Sequence, residues 1–330
     1  MWLDASEKPK SRWRTAGQVA TVIAGISMLA WLVLRDTSPI GHWTSAGGKD
    51  DFMSAYAKAM QALPAPDATL DVRTSYGVVR MYRFDGDGPD TTPLVLLPGR
   101  SAASPMWADN VPSLRKLRTV YTIDLLGEPG ASIQDRPVVN DDDQARWLHE
   151  AFQQLPEPAV HLLGVSIGGW TAMNLAVRQP QKIKSVIVLD PVMTFTNLSA
   201  GVIVRSIPVS VKWAPKSWRD SFNSWTANGA PVEDVPVADM IESGMQNYVL
   251  KLPAPTRLSS EQLASLQMPV LAIMAGKSVM HDSAAGARTA KETLRQGTVL
   301  TYEDASHALN GEYPDRIAAD VGTFLNGLER

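Results

Sequence analysis

The stretch LLGVSIGGW, residues 162–170, is the most informative part of this chain. An apolar run at 159–163 leads into it, and a helix-like run with small residues follows at 171–178. The pattern Gly-x-Ser-x-Gly between a strand and a helix is typical of a nucleophile elbow, a strained turn that exposes the serine hydroxyl. Glycines are needed because a Cβ at the flanking positions would collide with the neighbouring strand and helix. Ser166 is therefore the candidate nucleophile.

Apolar segments and helix-like segments alternate on both sides of this turn. Strands of a parallel sheet that is covered on both faces are apolar throughout, and six short segments have that composition. The predicted strands are 94–97, 120–123, 160–163, 186–189, 270–274 and 299–302, and the predicted helices between them are 108–117, 141–155, 170–178, 282–294 and 314–328. Upstream, the pattern predicts a helix at 52–63 and two short strands within 70–84. The alternation predicts an α/β fold with a mostly parallel, doubly wound sheet.

The stretch 194–267 interrupts this alternation. A structureless loop of that length is uncommon inside a compact domain. Helical segments broken by prolines instead predict a helical cap, inserted between two core strands. The α/β core is therefore predicted in two parts, 51–193 and 268–330.

The N-terminus carries a second strong signal, an uncharged apolar segment at 15–34. As a helix it would be about 30 Å long, the thickness of a bilayer core. Basic residues lie in the stub 1–14 before it, which by the positive-inside rule predicts a single-pass anchor with a cytoplasmic N-terminus and an extracytoplasmic catalytic domain. A cleaved signal peptide and a buried core helix are the alternatives. The Gly-, Ser- and Pro-containing stretch 35–50 is predicted as a linker.

Composition excludes several classes of function. The chain has 330 residues, a net charge of −3 and no basic stripe, which argues against nucleic acid as a partner. It has no cysteine, so disulfides, thiolate chemistry and cysteine-ligated metals are excluded. We expect no metal and no organic cofactor, and the oligomeric state stays open.

Four motifs follow one another in an order that resembles the α/β-hydrolase superfamily. LLPGRS at 96–101 resembles the loop after the first long strand, and DLLGEPGAS at 124–132 resembles the Asp-x-x-Gly-x-Gly-x-Ser loop of the same group. The turn around Ser166 is the third, and DASH at 304–307 is similar to the segment that carries the catalytic histidine. The resemblance covers roughly residues 69–330 and is greatest to bacterial carboxylesterase-like members with a cap. It implies a hydrolase with a triad of serine, histidine and acid.

His307 is the candidate base among five histidines. Serine needs a neighbouring base to take its proton, and His307 lies in a loop after the last predicted strand, in the chain order that the resemblance implies. The other four are His42 in the predicted linker, His149 in a predicted helix, His161 in a predicted strand, and His281 in a loop before the final strand. We expect His149 and His161 to be structural, whereas His281 remains an alternative.

The acid of the triad is the weak point of the pattern. In the family it usually follows the strand predicted at 270–274, but residues 276–279 contain no carboxylate. Asp190, at the end of the strand 186–189, is the favoured candidate, because some members of the superfamily carry the acid there. Asp282 is the second candidate, although it also fits the N-cap of the helix that follows.

Acyl transfer also needs hydrogen-bond donors where the oxyanion develops. The backbone amides of Ile167 and Arg100 are the predicted pair. The sequence thus predicts a membrane-anchored serine hydrolase, most simply a carboxylesterase that acts on a small-molecule ester through an acyl-enzyme. The alternatives are a perhydrolase or C–C bond hydrolase with the same triad, and a non-catalytic binding protein of the same fold.

Overall fold

A nine-stranded sheet organises the part of the chain that the structure describes. The structure is a computed structural model and describes residues 36–87, 90–209, 211–212 and 214–328. The strands are β1 (His42–Trp43), β2 (Ala68–Thr74), β3 (Gly77–Phe84), β4 (Asp90–Leu97), β5 (Arg118–Ile123), β6 (Ile133–Gln134), β7 (Val160–Val165), β8 (Ile183–Leu189), β9 (Tyr248–Val249), β10 (Val270–Ala275) and β11 (Gly297–Tyr302).

The order across the sheet is β11-β10-β8-β7-β4-β5-β3-β2, with β6 beside β3, and β1 pairs with β9 separately. Strands β4, β5, β7, β8, β10 and β11 are parallel, whereas β2, β3 and β6 are antiparallel. The chain leaves β4 toward β5 on one side and later returns to β7 on the other. The crevice at the carboxyl ends of β4 and β7 is therefore the topological switch point, where ligands bind in open α/β sheets.

Helices cover both faces of the sheet. They are α1 (Ala46–Met60), α2 (Val111–Leu114), α3 (Asp141–Gln153), α4 (Ile167–Arg178), α5 (Ala200–Val209), α6 (Lys216–Thr226), α7 (Pro236–Asn247), α8 (Ser260–Ser265), α9 (Ser283–Thr293), α10 (Leu309–Glu312) and α11 (Pro314–Gly327), with a 3-10 turn at Ser104–Trp107. One apolar core lies under α3, α4 and α9. The other lies under α1 and α11. Every residue of β7 and β10 is buried, as expected of central parallel strands.

All six predicted parallel strands are present, with ends that differ by a few residues, and two other predicted segments differ more. The predicted linker 35–50 contains β1 and the start of α1, because the Ser45 side chain accepts a hydrogen bond from the Gly48 amide and caps the helix early. The predicted helix 108–117 is reduced to α2, where Pro112 has no amide hydrogen with which to continue a preceding helical turn.

The segment 194–267, predicted as a cap, contains α5, α6, α7, β9 and α8. A buried ion pair joins two of its helices, with Arg219 Nη2 2.6 Å from Glu242 Oε1. The predicted membrane span 15–34 and the stub 1–14 lie outside the described residues. Within the described ranges, no helix is both long enough and apolar enough to cross a bilayer.

Candidate active site

Ser166 occupies a strained turn between β7 and α4. Its φ is 55° and its ψ is −119°, a conformation that non-glycine residues rarely adopt. Close packing enforces the turn: a Cβ on Gly168 would lie 2.2 Å from the Leu97 carbonyl oxygen, and one on Gly164 would lie 2.3 Å from the Gly168 carbonyl oxygen. The Ser166 side chain remains partly exposed at the switch point.

Three predicted site residues, from distant parts of the chain, form one line of hydrogen bonds. Ser166 Oγ lies 2.9 Å from His307 Nε2, and His307 Nδ1 lies 2.6 Å from Asp190 Oδ2. An ionised carboxylate only accepts, so His307 Nδ1 donates to Asp190 and leaves Nε2 free to accept the serine proton. This is the arrangement of a general base held by an acid.

Asp190 is fully buried at the end of β8 and accepts four hydrogen bonds. Besides His307, the donors are the Ala275 amide at 3.1 Å, Ser278 Oγ at 2.6 Å and His281 Nε2 at 3.0 Å. Burial acts to raise the pKa of Asp190, but the hydrogen bonds that it accepts from His281 and His307 outweigh that effect and hold the pKa below its usual range. The carboxylate therefore stays ionised at neutral pH.

The second candidate acid, Asp282, lies elsewhere. Its side chain is exposed and accepts a hydrogen bond from the Ala285 amide at 2.8 Å, which makes it the N-cap of α9. Two other histidines have partners outside this network: His161 is buried and bonds Ser185 Oγ at 2.7 Å, and His42 Nδ1 contacts the Ile40 carbonyl oxygen at 3.0 Å.

The two predicted oxyanion donors belong to chain segments next to the nucleophile. Ile167 begins α4 directly after Ser166, and Arg100 follows Gly99, whose Cβ position is 4.0 Å from Ser166 Cβ. Within the described part of the chain, neither amide donates a hydrogen bond. Both are therefore free to donate to a substrate oxygen, as the donors of an oxyanion hole must be.

Glu128 fixes the loop that carries Arg100. Its Oε1 lies 2.6 Å from Arg100 Nη1, and its Oε2 accepts from the Ser101 amide at 3.1 Å. Burial raises the pKa of Glu128, and the Arg100 guanidinium and the Ser101 amide offset only part of that effect. Ser101 has a φ of 55°, so this contact also holds a strained backbone.

A narrow, mainly apolar cavity is lined in part by the residue that follows the nucleophile. Its volume is about 10 Å³, room for roughly one water molecule. Its lining includes Ile167, Trp170, Leu125, Leu252 and Pro253, with Arg100 and Glu128 at its polar side. A larger cleft of about 350 Å³ lies between α1 and the start of α7, but its lining contains none of the residues around Ser166. Of the two, the narrow cavity is the one next to the catalytic residues, because it is lined by Ile167, which directly follows Ser166, and by Arg100.

Among the described residues, no group of three or more His, Cys, Asp or Glu side chains is arranged to hold a metal ion. The residues of the site supply a hydroxyl, an imidazole, a buried carboxylate and two backbone amides. Together they can attack a carbonyl carbon, move a proton and stabilise an oxyanion.

A doubly wound sheet with a nucleophile elbow, a base and an acid at its carboxyl edge defines a serine hydrolase. Residues 94–320 match the model of the alpha/beta hydrolase family, and the chain belongs to that family. The predictions of this family and of a hydrolytic enzyme are confirmed.

Two relatives from Bacillus subtilis (strain 168) match most of the chain. An uncharacterized carboxylesterase, nap, is 24% identical and covers 83% of this chain and 92% of its own length. Carboxylesterase YbfK is 23% identical and covers 84% of this chain and 94% of its own length. The solved structure of naproxen esterase (carboxylesterase NP) from the same species has a TM-score of 0.78 at 22% identity, over 85% of this chain and 99% of that chain. That structural likeness shows the fold.

Sequence reasoning missed three groups that surround the predicted residues. The motif at 124–132 contains Glu128, but the motif predicts no role for it. Ser278 lies in the stretch 276–279, which contains no carboxylate and therefore predicted no acid. His281 was predicted only as an alternative base. Their roles depend on burial and on contacts across 27 to 91 positions of the sequence, which no local pattern contains.

Proposed function

We propose that this chain is a carboxylesterase. Ser166 Oγ attacks the ester carbonyl carbon while His307 Nε2 takes its proton. The amides of Ile167 and Arg100 bind the oxyanion of the tetrahedral intermediate. His307 then protonates the departing alcohol oxygen and an acyl-enzyme forms. Water, deprotonated by His307, then attacks the acyl-enzyme; His307 returns the proton to Ser166 Oγ as the bond to the acyl group breaks and the carboxylic acid leaves.

The observation that carries this proposal is the continuous line from Ser166 Oγ through His307 to Asp190, at 2.9 and 2.6 Å. Two family members that match most of the chain are named as carboxylesterases, which supports an ester as the substrate. The alternative of a non-catalytic binding protein rested on the lack of an acid after β10. Asp190, at the end of β8, contacts His307 and supplies that carboxylate instead.

The substrate is a small or medium ester whose apolar part enters between α4 and the segment 194–267. Support comes from the lining of the narrow cavity, where Leu252 and Pro253 of that segment oppose Ile167. The segment also contacts the core directly, since Trp170 Nε1 donates to the Thr256 carbonyl oxygen at 2.9 Å. In this proposal residues 194–267 act as a cap that sets the length of the acyl or alcohol group.

The enzyme is anchored in a membrane by residues 15–34 and acts outside the cytoplasm. The support is the uncharged apolar sequence of this segment and the lysines and arginines in residues 1–14 before it.

The direct test is labelling with a fluorophosphonate probe, together with hydrolysis of a series of p-nitrophenyl esters of increasing acyl length. We expect labelling at Ser166 and turnover of short and medium esters, with both lost in Ser166→Ala. A folded protein that neither labels nor hydrolyses would favour the binding-protein reading. Labelling without ester turnover, combined with peracid formation or C–C bond cleavage, would favour the other two enzymes.

A further inference from the structure

Asp190 contacts two imidazoles, and the triad accounts for only one of them. His307 Nδ1 approaches Oδ2 at 2.6 Å, and His281 Nε2 approaches Oδ1 at 3.0 Å. The His281 side chain is 1% exposed, and that of Asp190 is fully buried, so water cannot substitute for this contact. His281 follows β10 in the same loop as Ser278, which also donates to Asp190.

The second nitrogen of His281 identifies its chemical form. Nδ1 is buried and has no hydrogen-bond partner among the described residues. In a neutral imidazole with its proton on Nε2, that proton is donated to Asp190, and only the lone pair of Nδ1 lacks a partner. An imidazolium would bury an N–H group without an acceptor, which costs more. The site therefore favours a neutral His281 that donates one hydrogen bond to Oδ1.

We propose that His281 is a positioning residue for catalysis: as a neutral Nε2 donor, it fixes the orientation of the Asp190 carboxylate and takes a share of its charge. This inference rests on the proposed function. With Oδ1 held by His281 and the Ala275 amide, Oδ2 points to His307 and keeps that ring aligned with Ser166. Each donor that shares the carboxylate charge also weakens its pull on the His307 proton.

Two effects follow from loss of this donor. The carboxylate gains freedom to rotate, so the alignment of His307 with Ser166 is populated less and kcat falls. The remaining charge acts more strongly on His307, which favours its protonated form and moves the acid limb of the kcat/KM profile to higher pH. The charged and titratable groups around this network are Asp190 itself, the two imidazoles, Glu312 next to Ser306, and the exposed pair of Lys277 and Asp304.

Matched variants test the donor. In His281→Gln the amide nitrogen can take the place of Nε2, whereas His281→Leu fills the space without a donor. We expect His281→Leu to lower kcat about tenfold or more, the loss that corresponds to one buried hydrogen bond, with KM little changed and the acid limb at higher pH. His281→Gln should restore most of kcat and the wild-type limb. Fluorophosphonate titration counts active sites, so that rates refer to folded enzyme.

His161→Leu is the control, since His161 is also buried but bonds Ser185 in the core. It should lower the melting temperature and leave kcat and the pH profile unchanged. If His281→Leu behaved like this control, or if His281→Gln were as slow as His281→Leu, the proposal would be wrong. An inactive wild type would instead contradict the proposed function.

Nitrogen-15 NMR of the histidine side chains in the wild-type chain tests the same idea without a variant. We expect His281 to show a protonated Nε2 and an unprotonated Nδ1 at neutral pH. A proton on Nδ1, or an imidazolium at neutral pH, would overturn the proposal even if both variants failed to fold.

Discussion

At the scale of single residues, the site depends on one buried carboxylate, Asp190. In Asp190→Asn the amide can donate to His307 and favour the wrong tautomer, in which Nε2 carries the proton and cannot accept one from Ser166. We expect kcat on a short acyl ester to fall by about four orders of magnitude.

The control for that variant is Asp282→Asn, which changes the N-cap of α9 and should cost less than about 1 kcal/mol of stability with no loss of kcat. Circular dichroism checks the fold of both variants. A fully active Asp190→Asn beside an inactive Asp282→Asn would reverse the assignment of the acid.

Asp190 also determines part of the acid sensitivity of the fold. Hydrogen bonds from His281 and His307 outweigh burial and hold its pKa in the folded state below the unfolded value of about 3.9. A lowered pKa contributes stability that is complete above the unfolded pKa and is lost as pH falls through the folded pKa.

Urea unfolding at a series of pH values from 7 down to 2 measures this effect. We expect the stability of the wild type, relative to Asp190→Asn, to decline below about pH 4. Parallel curves for the two proteins over that range would show that Asp190 is not linked to folding in this way.

At the scale of elements, the loop after β4 depends on Glu128 in the loop after β5. In Glu128→Gln the Arg100 side chain loses its charged partner, and the Ser101 amide faces a side chain that also carries donors. The Arg100 amide then moves relative to the oxyanion. Loss of one oxyanion donor costs about 100-fold or more in kcat, and we expect a tenfold to 100-fold decrease here.

Steady-state kinetics on a p-nitrophenyl ester separate kcat from KM for this variant, and KM should change little. Asp71→Asn is a matched control. It also removes a carboxylate that pairs with an arginine, but the pair is exposed and joins Asp71 on β2 to Arg80 on β3. A Glu128→Gln enzyme with lower melting temperature but normal kcat would show that Glu128 only supports the fold.

The close contact between the end of β4 and the start of α4 leads to a second prediction, which concerns stability. In Gly168→Ala the new methyl group would lie 2.2 Å from the Leu97 carbonyl oxygen, so the backbone must shift. We expect a loss of about 3 kcal/mol or more in the free energy of unfolding. Gly311→Ala, in a helical position with nothing within 4 Å, should be neutral or stabilising by up to about 1 kcal/mol. Equal effects in urea unfolding would contradict this account.

The sequence predicted the strands and the turn at Ser166 better than the side-chain contacts around the catalytic residues. The strands and the turn at Ser166 have local signatures, namely apolar runs and glycines at fixed spacing, and both are present in the fold. Asp190 was favoured because it ends a strand, which a sequence can indicate. The second histidine on that carboxylate could not be predicted, because His281 reaches it across 91 positions and its burial is a property of the folded chain.

At the scale of the whole molecule, the prediction concerns the attachment of the folded unit to a membrane through residues 15–34. That unit begins at Pro39, and its first strand, His42–Trp43, pairs with Tyr248–Val249. Removal of residues 1–35 therefore leaves this pairing intact, and the residues named above for the site lie between Arg100 and His307 in the chain. We expect the shortened chain to be soluble and folded, with the kcat of the full chain on a soluble ester.

Centrifugation of cell lysates measures the difference: the full chain should sediment with membranes, and the shortened chain should stay in the supernatant. Leu29→Lys keeps the full length but places a charge within 15–34, which costs about 3 kcal/mol in a membrane span, and should weaken sedimentation. A full chain in the supernatant would contradict the anchor. A shortened chain that still binds lipid vesicles would mean that a surface of the catalytic domain holds the membrane, because no helix among the described residues can span it.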